Sequence, residues 1–204
     1  RDDYWGKDLN VNVGQNNFRN IIYTYFGDRD VEFEAFRAGN SDYWQETTAA
    51  RWATGYDFPA VKEGRVRKEE VANPLRATGI LQALVPNMRR DLFKDERVRE
   101  ALNYGFDFEE LNRTVAFNSY KRIDSYFWNT ELASSGLPQG RELEILQGMK
   151  DKVPAEIFTT PYTNPVGGDP QKSRDNLRKA IALLKDAGWE LKGNRMVNSK
   201  TGQP

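Results

Sequence analysis

The sequence contains no cysteine and no histidine in its 204 residues. Without cysteine the chain cannot form a disulfide, a thiolate metal site or a thiol nucleophile. Without histidine it lacks the usual general base of serine and cysteine triads, and also the commonest zinc ligand. An enzyme built from this sequence would depend on carboxylates, lysine, tyrosine or backbone groups.

The charge balance and the short apolar runs exclude further classes. Lys and Arg together number 30 and Asp and Glu together number 30, so the formal net charge is zero. A nucleic-acid binder needs a basic face for the phosphates, and a polybasic membrane clamp needs the same excess. We therefore expect no nucleic-acid partner. No apolar run approaches the roughly 20 residues that a membrane-spanning helix requires.

Motifs for phosphate and metal chemistry are also missing. No glycine-rich phosphate loop and no calcium loop of EF-hand spacing occurs, so we expect no cofactor and no metal. Two glutamate pairs, at 32/34 and 109/110, are candidates for the paired carboxylates of a glycosidase. Carboxylates in the first turn of a helix are better explained by the helix dipole. The Gly-Gly-Asp run at 167–169 indicates a turn.

Strand patterns occur at three places in the sequence. Apolar and polar side chains alternate over residues 17–25, which predicts a strand. Residues 78–85 form a short apolar run that predicts a buried strand, although periodicity alone leaves a helical turn open. Residues 194–198, with a glycine at 202, indicate a terminal hairpin.

Helix patterns are interspersed with these strands. Five helices are predicted from capping residues and apolar spacing. They begin at Asp30, Asp42, Asp95, Asp107 and Ser173, and Gly39, Gly105 and Gly188 are predicted to end three of them. The mixed order predicts an α/β or α+β fold with one mixed sheet covered by helices. Residues 118–170, which hold five prolines, are predicted to be a long irregular wrapping segment.

Aromatic residues are the excess in the composition, with 5 Trp, 9 Tyr and 11 Phe. Flat rings stack on ligand groups, and guanidinium groups bind carboxylates or phosphates with two hydrogen bonds. Each residue alone also has a structural explanation. Trp44 and Trp52 at helical spacing are more typical of a core, and Arg89 and Arg90 of a solvated turn or an ion pair. For Arg122 the sequence favours neither a ligand-binding role nor a structural role.

One long stretch carries a family resemblance, VPNMRRDLFKDERVREALNYGFDFEELNR at residues 85–113. A strand ends in Asn, a Phe-x-Asp turn follows, and then come an Arg-Val-Arg-x-Ala-Leu helix and an aromatic-Asp helix start. These positions are Asn87, Phe93, Asp95, Arg97-Val98-Arg99, Ala101-Leu102 and Phe106-Asp107. The stretch resembles the extracellular solute-binding proteins of family 5, which serve peptide and oligopeptide ABC transporters.

Other pieces of the sequence fall in the order found in that family. They are Tyr4-Trp5, residues 34–42 and AIALLKDAGW at 180–189. RWATGYDFPAV at 51–61 and YKRIDSYFWNTELASSGLP at 120–138 are similar to the YejA-like branch, which binds oligopeptides and peptide-like antibiotics. The resemblance extends over nearly the whole chain, from Tyr4 to Gly202.

The resemblance implies a binding protein rather than an enzyme. Such a protein captures oligopeptides or peptide-like compounds in the periplasm and delivers them to an inner-membrane ABC permease. Because family members are much longer, residues 1–204 correspond to most of one lobe of a periplasmic-binding-protein-like class II clamshell, and the second lobe is a missing partner. The chain also opens without Met and closes without a capping element, so we expect a fragment of a longer protein.

The resemblance also implies where a ligand would bind. Residues 80–85 correspond to a strand that lines the cleft, where oligopeptide binders present aromatic and acidic side chains. Ala83 and Val85 stand at those positions here, so we expect more backbone contact or more space. The polar and stacking contacts that we predict are Arg51, Trp52, Arg89, Arg90, Arg122 and Trp128. A positive cleft suits a peptide carboxylate or an acidic ligand.

Two other classes stay open at this point. One is a carboxylate-dependent hydrolase, which turnover of a chromogenic glycoside or ester would reveal. The other is a carbohydrate-binding module, whose aromatic rings would form an exposed flat platform. Trp rings that are buried, or that lie at the edge of a cleft, favour the transport protein instead.

Overall fold

The computed structural model of the chain describes residues 3–15, 17–71 and 81–203. The described residues contain seven α-helices, three short 3-10 helices and two β-strands. The helices are α1 Arg29–Arg37, α2 Ala49–Thr54, α3 Pro59–Lys62, α4 Glu96–Tyr104, α5 Phe108–Thr114, α6 Gly140–Gln147 and α7 Pro170–Asp186. The strands are β1 Trp189–Lys192 and β2 Arg195–Asn198. No helix in these ranges is long and apolar enough to cross a membrane.

The chain divides into two compact units. Unit 1 comprises Arg1–Thr47 and Asp57–Val66, and unit 2 comprises Thr48–Tyr56 and Arg67–Pro204. The predicted helix over 42–54 falls across this division. Within it only α2 is helical, because residues 42–48 are irregular and Thr48 has extended backbone angles. Trp44 and Trp52 therefore lie in different units and do not share a helix face.

Unit 1 is built around a small aromatic core. Phe33 and Phe36 are buried on one face of α1, with ring centroids 6.3 Å apart. Trp44 packs against both rings, at 5.6 Å from Phe33 and 6.1 Å from Phe36. The predicted helix is confirmed, but the carboxylate of Asp28 caps it rather than that of Asp30. Gly39 ends it with φ +84°.

The strand predicted over residues 17–25 is wrong, because the described residues of this stretch form no strand. Its apolar side chains are exposed, with Ile22 at 86% and Tyr25 at 91%. An alternating pattern predicts which face a strand would bury, but a strand also requires a neighbour for its backbone hydrogen bonds. No neighbouring strand occurs among the described residues of unit 1.

Unit 2 contains the larger helical core, in which α4 packs along α7. Val98 and Ala101 of α4 and Ala180 of α7 are buried. The guanidinium of Arg97 joins the start of α4 to the end of α7, because it donates to the carbonyl of Asp186 at 2.7 Å. The pKa of Asp95 is lowered chiefly by the hydrogen bond from Arg97. The sequence predicted Asp95 as the N-cap of α4, and the structure confirms it.

Two other helix ends differ from the prediction. Helix α7 begins three residues before Ser173, where the Asp169 carboxylate accepts from two backbone N–H groups. Gly105 was predicted to be left-handed, but its φ is −74°. Gly188 has φ +85° and ends the α7 region as predicted. Capping pattern alone did not separate Asp169 from Ser173, since both side chains are good caps.

The sheet is smaller than predicted. Strands β1 and β2 form an antiparallel hairpin, with Trp189 opposite Asn198 and Lys192 opposite Arg195. The predicted terminal hairpin is thus confirmed. The predicted mixed sheet is corrected to this two-stranded one among the described residues. Of the predicted strand at 78–85, residues 78–80 lie outside the described residues, and residues 81–85 form no strand.

The segment predicted to be irregular, residues 118–170, contains more regular structure than expected. It holds α6 and two short 3-10 helices, Lys150–Lys152 and Ala155–Phe158. The rest is turn and extended chain, in keeping with its prolines. Side-chain hydrogen bonds from Asn112, Asn164 and Asn176 reach carbonyl oxygens within this segment. It is therefore held by polar contacts.

Candidate ligand-binding site

Helix α2 presents the first predicted pair, Arg51 and Trp52, and both side chains are half-buried. Trp52 meets Tyr56 edge-to-face, with ring centroids 5.8 Å apart and planes inclined by 63°. The ammonium of Lys68 lies 4.2 Å from the Trp52 centroid and 5.3 Å from that of Tyr56. The same ammonium donates to the Trp52 backbone carbonyl. Trp52, Tyr56 and Lys68 are called the aromatic–lysine cluster below.

Arg122 is hydrogen-bonded through both terminal nitrogens of its guanidinium. One terminal nitrogen of its guanidinium donates to the Pro165 carbonyl, and the other to the Asn103 side-chain oxygen, both at 2.7 Å. Its central carbon lies 5.6 Å from the Phe106 ring and 5.8 Å from the Phe108 ring. Such charge-assisted bonds contribute about 1.5–3 kcal/mol each to stability. Arg122 thus connects the start of the 118–170 segment to its end.

Next to Arg122, the carboxylate of Asp107 holds the chain at 167–173. It caps α5 by accepting from the Glu110 N–H at 3.0 Å. It also accepts from the Gly168 N–H at 2.9 Å and from the Ser173 hydroxyl. The neighbouring Glu109 carboxylate accepts from the Gly167 N–H at 2.7 Å. We call these five residues, Asp107, Glu109, Gly167, Gly168 and Ser173, the Asp107 junction.

Hydrogen bonds to the charged form of a carboxylate favour that form. The hydrogen bond from Ser173 is the main reason that the pKa of Asp107 is lowered, and the backbone N–H groups of Glu110 and Gly168 lower it further. The Arg122 charge acts in the same direction. Asp107 is therefore ionised at neutral pH and is engaged in structure.

Glycine is required at the centre of the Asp107 junction. A β-carbon on Gly167 would lie 2.3 Å from the nearer carboxylate oxygen of Asp107. Gly168 has φ +76°, and a β-carbon there would lie 2.7 Å from that of Glu109. Only a residue without a side chain lets the backbone approach the two carboxylates this closely.

The remaining predicted residues are more exposed. Ala83 and Val85 lie in irregular, exposed chain. Arg89 and Arg90 lie in a turn closed by the bond from the Arg90 N–H to the Asn87 carbonyl, at 3.0 Å. Arg90 also lies 5.8 Å from the Phe93 ring. This geometry matches the solvated turn that the sequence left open for the two arginines.

Trp128 is half-buried within a run of turns. Its backbone N–H donates to the Ser125 carbonyl at 3.2 Å, and the Lys121 ammonium lies 5.4 Å from its ring centroid. No hydrogen bond or ring contact joins Trp52, Arg90, Arg122 or Trp128 to another member of this set among the described residues. The structure therefore presents the predicted contacts as separate groups.

Sequence reasoning missed the contacts within the Asp107 junction and within the aromatic–lysine cluster. Residues 167–169 were predicted to be a turn and Asp107 to be a cap, and each prediction was made from local spacing. Their mutual contact spans about 60 positions, and no local pattern encodes such a pairing. The Tyr56 and Lys68 partners of Trp52 were missed for the same reason. The signal that could have found the junction is the Gly-Gly pair, which indicates a close backbone approach.

No group of three or more acidic side chains within the described residues is arranged to hold a metal ion. Unit 1 has an open depression of about 460 Å³ lined by Glu34, Arg37, Phe58 and Arg65 among others. Arg37 pairs with Glu34 and lies 5.3 Å from the Phe58 ring. This depression contains none of the predicted ligand contacts.

The comparison with protein families decides the assignment. The family model described as bacterial extracellular solute-binding proteins, family 5 middle, matches residues 1–203. The chain belongs to this family. The resemblance drawn from residues 85–113 and 180–189 is thereby confirmed. Because such proteins share a periplasmic-binding-protein-like fold, the mixture of helices with a small sheet is consistent with membership of family 5.

Several curated relatives match nearly the whole chain. It is 69% identical over 204 residues to the uncharacterized protein y4wM of Sinorhizobium fredii and 66% identical over 203 residues to the probable peptide-binding protein YejA of Agrobacterium fabrum. It is 38% identical over 209 residues to the peptidoglycan-binding protein YepA of A. fabrum. These matches cover 100%, 100% and 98% of this chain and 31%, 33% and 34% of the relatives. The chain spans about a third of their length.

Proposed function

We propose that this chain is part of a substrate-binding protein of an ABC importer that captures oligopeptides or peptide-like compounds in the periplasm. The observation that carries the proposal is the family 5 match over residues 1–203. The 66% identity to a probable peptide-binding protein supports the choice of ligand. The partners proposed with it are an inner-membrane permease and a second lobe of the same protein.

The proposed mechanism is non-covalent enclosure of the peptide between two lobes that close by a hinge. Main-chain hydrogen bonds would hold the peptide backbone, and roomy pockets would accept varied side chains. Ala83 and Val85 stay in the proposal as small, exposed positions that leave the backbone accessible. Arg89 and Arg90 stay as solvent-facing cations that a peptide carboxylate could reach without breaking a buried contact.

Arg51, Trp52, Arg122 and Trp128 are the other proposed contacts, and all four side chains are half-buried. Half-buried rings and guanidinium groups can keep their structural contacts while one face meets a ligand. Arg122 has both terminal nitrogens bonded to protein, so its proposed share in binding is electrostatic attraction of a carboxylate.

A second ligand class is a peptide derived from peptidoglycan. A relative 38% identical over 209 residues is named as a peptidoglycan-binding protein. The same site chemistry would serve both classes, because each presents amide groups and free carboxylates. A muramyl peptide compared with a simple tripeptide distinguishes them.

The two rival classes receive less support. Four of the five Trp side chains are half-buried, and no two Trp rings touch within the described ranges. A flat carbohydrate-binding platform would need exposed coplanar rings. The glutamates at 109 and 110 bond to the Gly167 N–H and to Arg113, as structural residues do, which does not favour a hydrolase.

Isothermal titration calorimetry of the full-length protein tests the proposal. Tri-alanine and a muramyl tripeptide are titrated into the wild type, the Arg122→Ala variant and the Trp52→Leu variant. We expect saturable binding of at least one peptide, with recovery of the intact peptide. We expect Arg122→Ala to weaken it at least fivefold, because an attractive charge beside the carboxylate is lost.

Arg141→Ala is the matched control, because Arg141 is exposed and, in the described part of the chain, pairs with Glu144 on the same helix. Its peptide affinity should equal that of the wild type. Unchanged affinity in a folded Arg122→Ala variant would remove Arg122 from the site. Failure of every peptide to bind the wild type, or cleavage of the peptide, would overturn the proposed function.

A further inference from the structure

We infer that Trp52 and Tyr56 form a binding site for a primary ammonium group, and that the side chain of Lys68 occupies this site as an internal stand-in for the ligand. This inference rests on the proposed function in taking the ligand to be a peptide with a free amine. It specifies the part of the peptide that is bound, the ammonium group, and the rings that bind it. It also names Lys68 as a competitor within the chain.

The geometry of the aromatic–lysine cluster suits an ammonium. The negative faces of aromatic rings attract a cation within about 6 Å of their centroids. The Lys68 ammonium meets that condition for two rings at once, at 4.2 Å and 5.3 Å. The rings of Trp52 and Tyr56 are inclined by 63°, so they form two walls of a corner.

A hydrogen-bond acceptor completes the corner. Trp52 lies near the C-terminal end of α2, where backbone carbonyls have no partner inside the helix. Its carbonyl accepts from the Lys68 ammonium. Two ring faces and a carbonyl oxygen attract a donor cation and repel a carboxylate, so the chemistry of the corner selects an amine.

Lys68 is an exchangeable occupant. Its side chain is exposed, and it makes no ion pair in the part of the chain that the structure describes. Among the described residues, the contacts of its ammonium are to Trp52 and Tyr56. A second ammonium, from a peptide N-terminus or a lysine side chain, could therefore make the same contacts when Lys68 moves to solvent. Because one ammonium replaces another at the same rings and carbonyl, the site keeps its charge and its hydrogen bond. The free-energy cost of the exchange is therefore small.

Another lysine of unit 2 provides the matched control. The Lys179 ammonium lies 5.5 Å from the Tyr104 ring centroid, over one ring only. No carbonyl oxygen accepts from it among the described residues. Replacing Lys179 removes the same charge and the same kind of contact without opening a two-walled corner.

Fluorine NMR of the full-length protein labelled with fluorotryptophan tests the site directly. The Trp52 resonance is assigned with a Trp52→Phe variant. The probe is n-butylammonium chloride, and n-butanol and sodium chloride are the neutral and ionic controls. Lys68→Met keeps the length of the side chain and removes the competing charge.

We expect butylammonium to shift the Trp52 resonance in Lys68→Met at concentrations at least fivefold lower than in the wild type. Lys179→Met should respond as the wild type does, and butanol and sodium chloride should have no such effect. If butylammonium acts equally on Lys68→Met and the wild type, or on neither, the inference is wrong.

Calorimetry with tri-alanine and N-acetyl-tri-alanine then relates the site to peptide binding. We expect Lys68→Met to bind the free amine about two- to fivefold more tightly than the wild type, and the acetylated peptide equally. The inference is overturned if Lys68→Met leaves the preference for tri-alanine over N-acetyl-tri-alanine unchanged. It is also overturned if the variant loses affinity in a way that depends on the peptide carboxylate. Either result leaves the proposed function standing. A butylammonium response without any peptide binding would support the ammonium site and overturn the proposed function.

Discussion

The Asp107 junction in unit 2 and the stretch at residues 17–26 in unit 1 contrast a segment that is fixed by hydrogen bonds with one whose apolar side chains are exposed. At the junction, two carboxylates accept from backbone N–H groups and a hydroxyl that lie about 60 residues away. In the 17–26 stretch the side chains of Phe18, Ile22 and Tyr25 are exposed. The first segment is held within the described chain, and the second is not.

The difference follows from where each kind of structure finds its hydrogen-bond partners. A helix satisfies its backbone internally, and its caps need only nearby side chains. The backbone N–H and C=O groups of a strand form no such hydrogen bonds until a neighbouring strand pairs with it. The exposed apolar side chains at 17–26 would be covered if the second lobe that we propose packs on this stretch.

Of the substitutions that test this comparison, Gly167→Ala is expected to lower the free energy of unfolding most. The added β-carbon would overlap the Asp107 carboxylate, at 2.3 Å from one oxygen. Either the loop or the carboxylate must move, and the bonds of the junction weaken. We expect a loss of about 2–3 kcal/mol in the free energy of unfolding, measured by urea denaturation.

Gly27→Ala is the control for this substitution, because an added β-carbon there would meet nothing within 4 Å. Its free energy of unfolding should stay within about 0.5 kcal/mol of the wild type. A Gly167→Ala variant as stable as Gly27→Ala would show that the junction does not hold the segment.

A smaller effect is expected from Asp107→Asn. The variant keeps a capping oxygen but loses the charge and one acceptor that bind the Gly168 N–H and the Ser173 hydroxyl, which costs about 1–2 kcal/mol at neutral pH. The pKa of Asp107 is lowered in the folded state, chiefly by the bond from Ser173. Its contribution to stability is therefore complete above the pKa of the unfolded chain and is lost as the pH falls below about 4.

The pH dependence separates this charge effect from a simple loss of packing. Between pH 5 and pH 2 the wild type should lose more stability than Asp107→Asn, when both are measured by urea denaturation. Asp91→Asn is the surface control, since that carboxylate is exposed and pairs with Lys94, and a surface pair of this kind contributes little to stability. Parallel curves for the wild type and Asp107→Asn would contradict the account.

The smallest effect is expected from Ile22→Thr in the chain of residues 1–204. Ile22 is 86% exposed, and threonine keeps the branched β-carbon. We expect a change within about 0.5 kcal/mol in the free energy of unfolding. In the full-length protein the same substitution should cost more, about 0.5–1.5 kcal/mol, if a partner covers the side chain. An equal effect in both would remove the proposed cover.

Local patterns predicted α1, α4, α5, α7 and the terminal hairpin, but they missed α3 and α6 and placed the start of α2 too early. Asp95 and Asp107 were predicted as caps and are caps, because capping needs only a few neighbouring residues. Helix α1 and the β1–β2 hairpin were also found, because apolar spacing and turn residues are local signals too. The strand at 17–25 and the mixed sheet were wrong, since alternation of side chains gives no information on whether a partner strand is present.

The candidate site was predicted less completely than the fold. Aromatic and arginine content led to Trp52 and Arg122, and both are half-buried with aromatic neighbours. Their partners could not be predicted. Lys68 is 16 positions from Trp52 and Pro165 is 43 positions from Arg122. Contacts of this kind depend on tertiary packing, which one sequence does not encode in any local spacing.

Hydrogen–deuterium exchange tests the central comparison most directly, when it is measured on residues 1–204 and on the full-length protein. The account predicts slow exchange in α4, α7 and the N–H groups of residues 167–168 in both samples. It predicts fast exchange at residues 17–26 in the shorter chain and strong protection in the full-length protein. Equal protection of residues 17–26 in both samples, or fast exchange at residues 167–168, would contradict it.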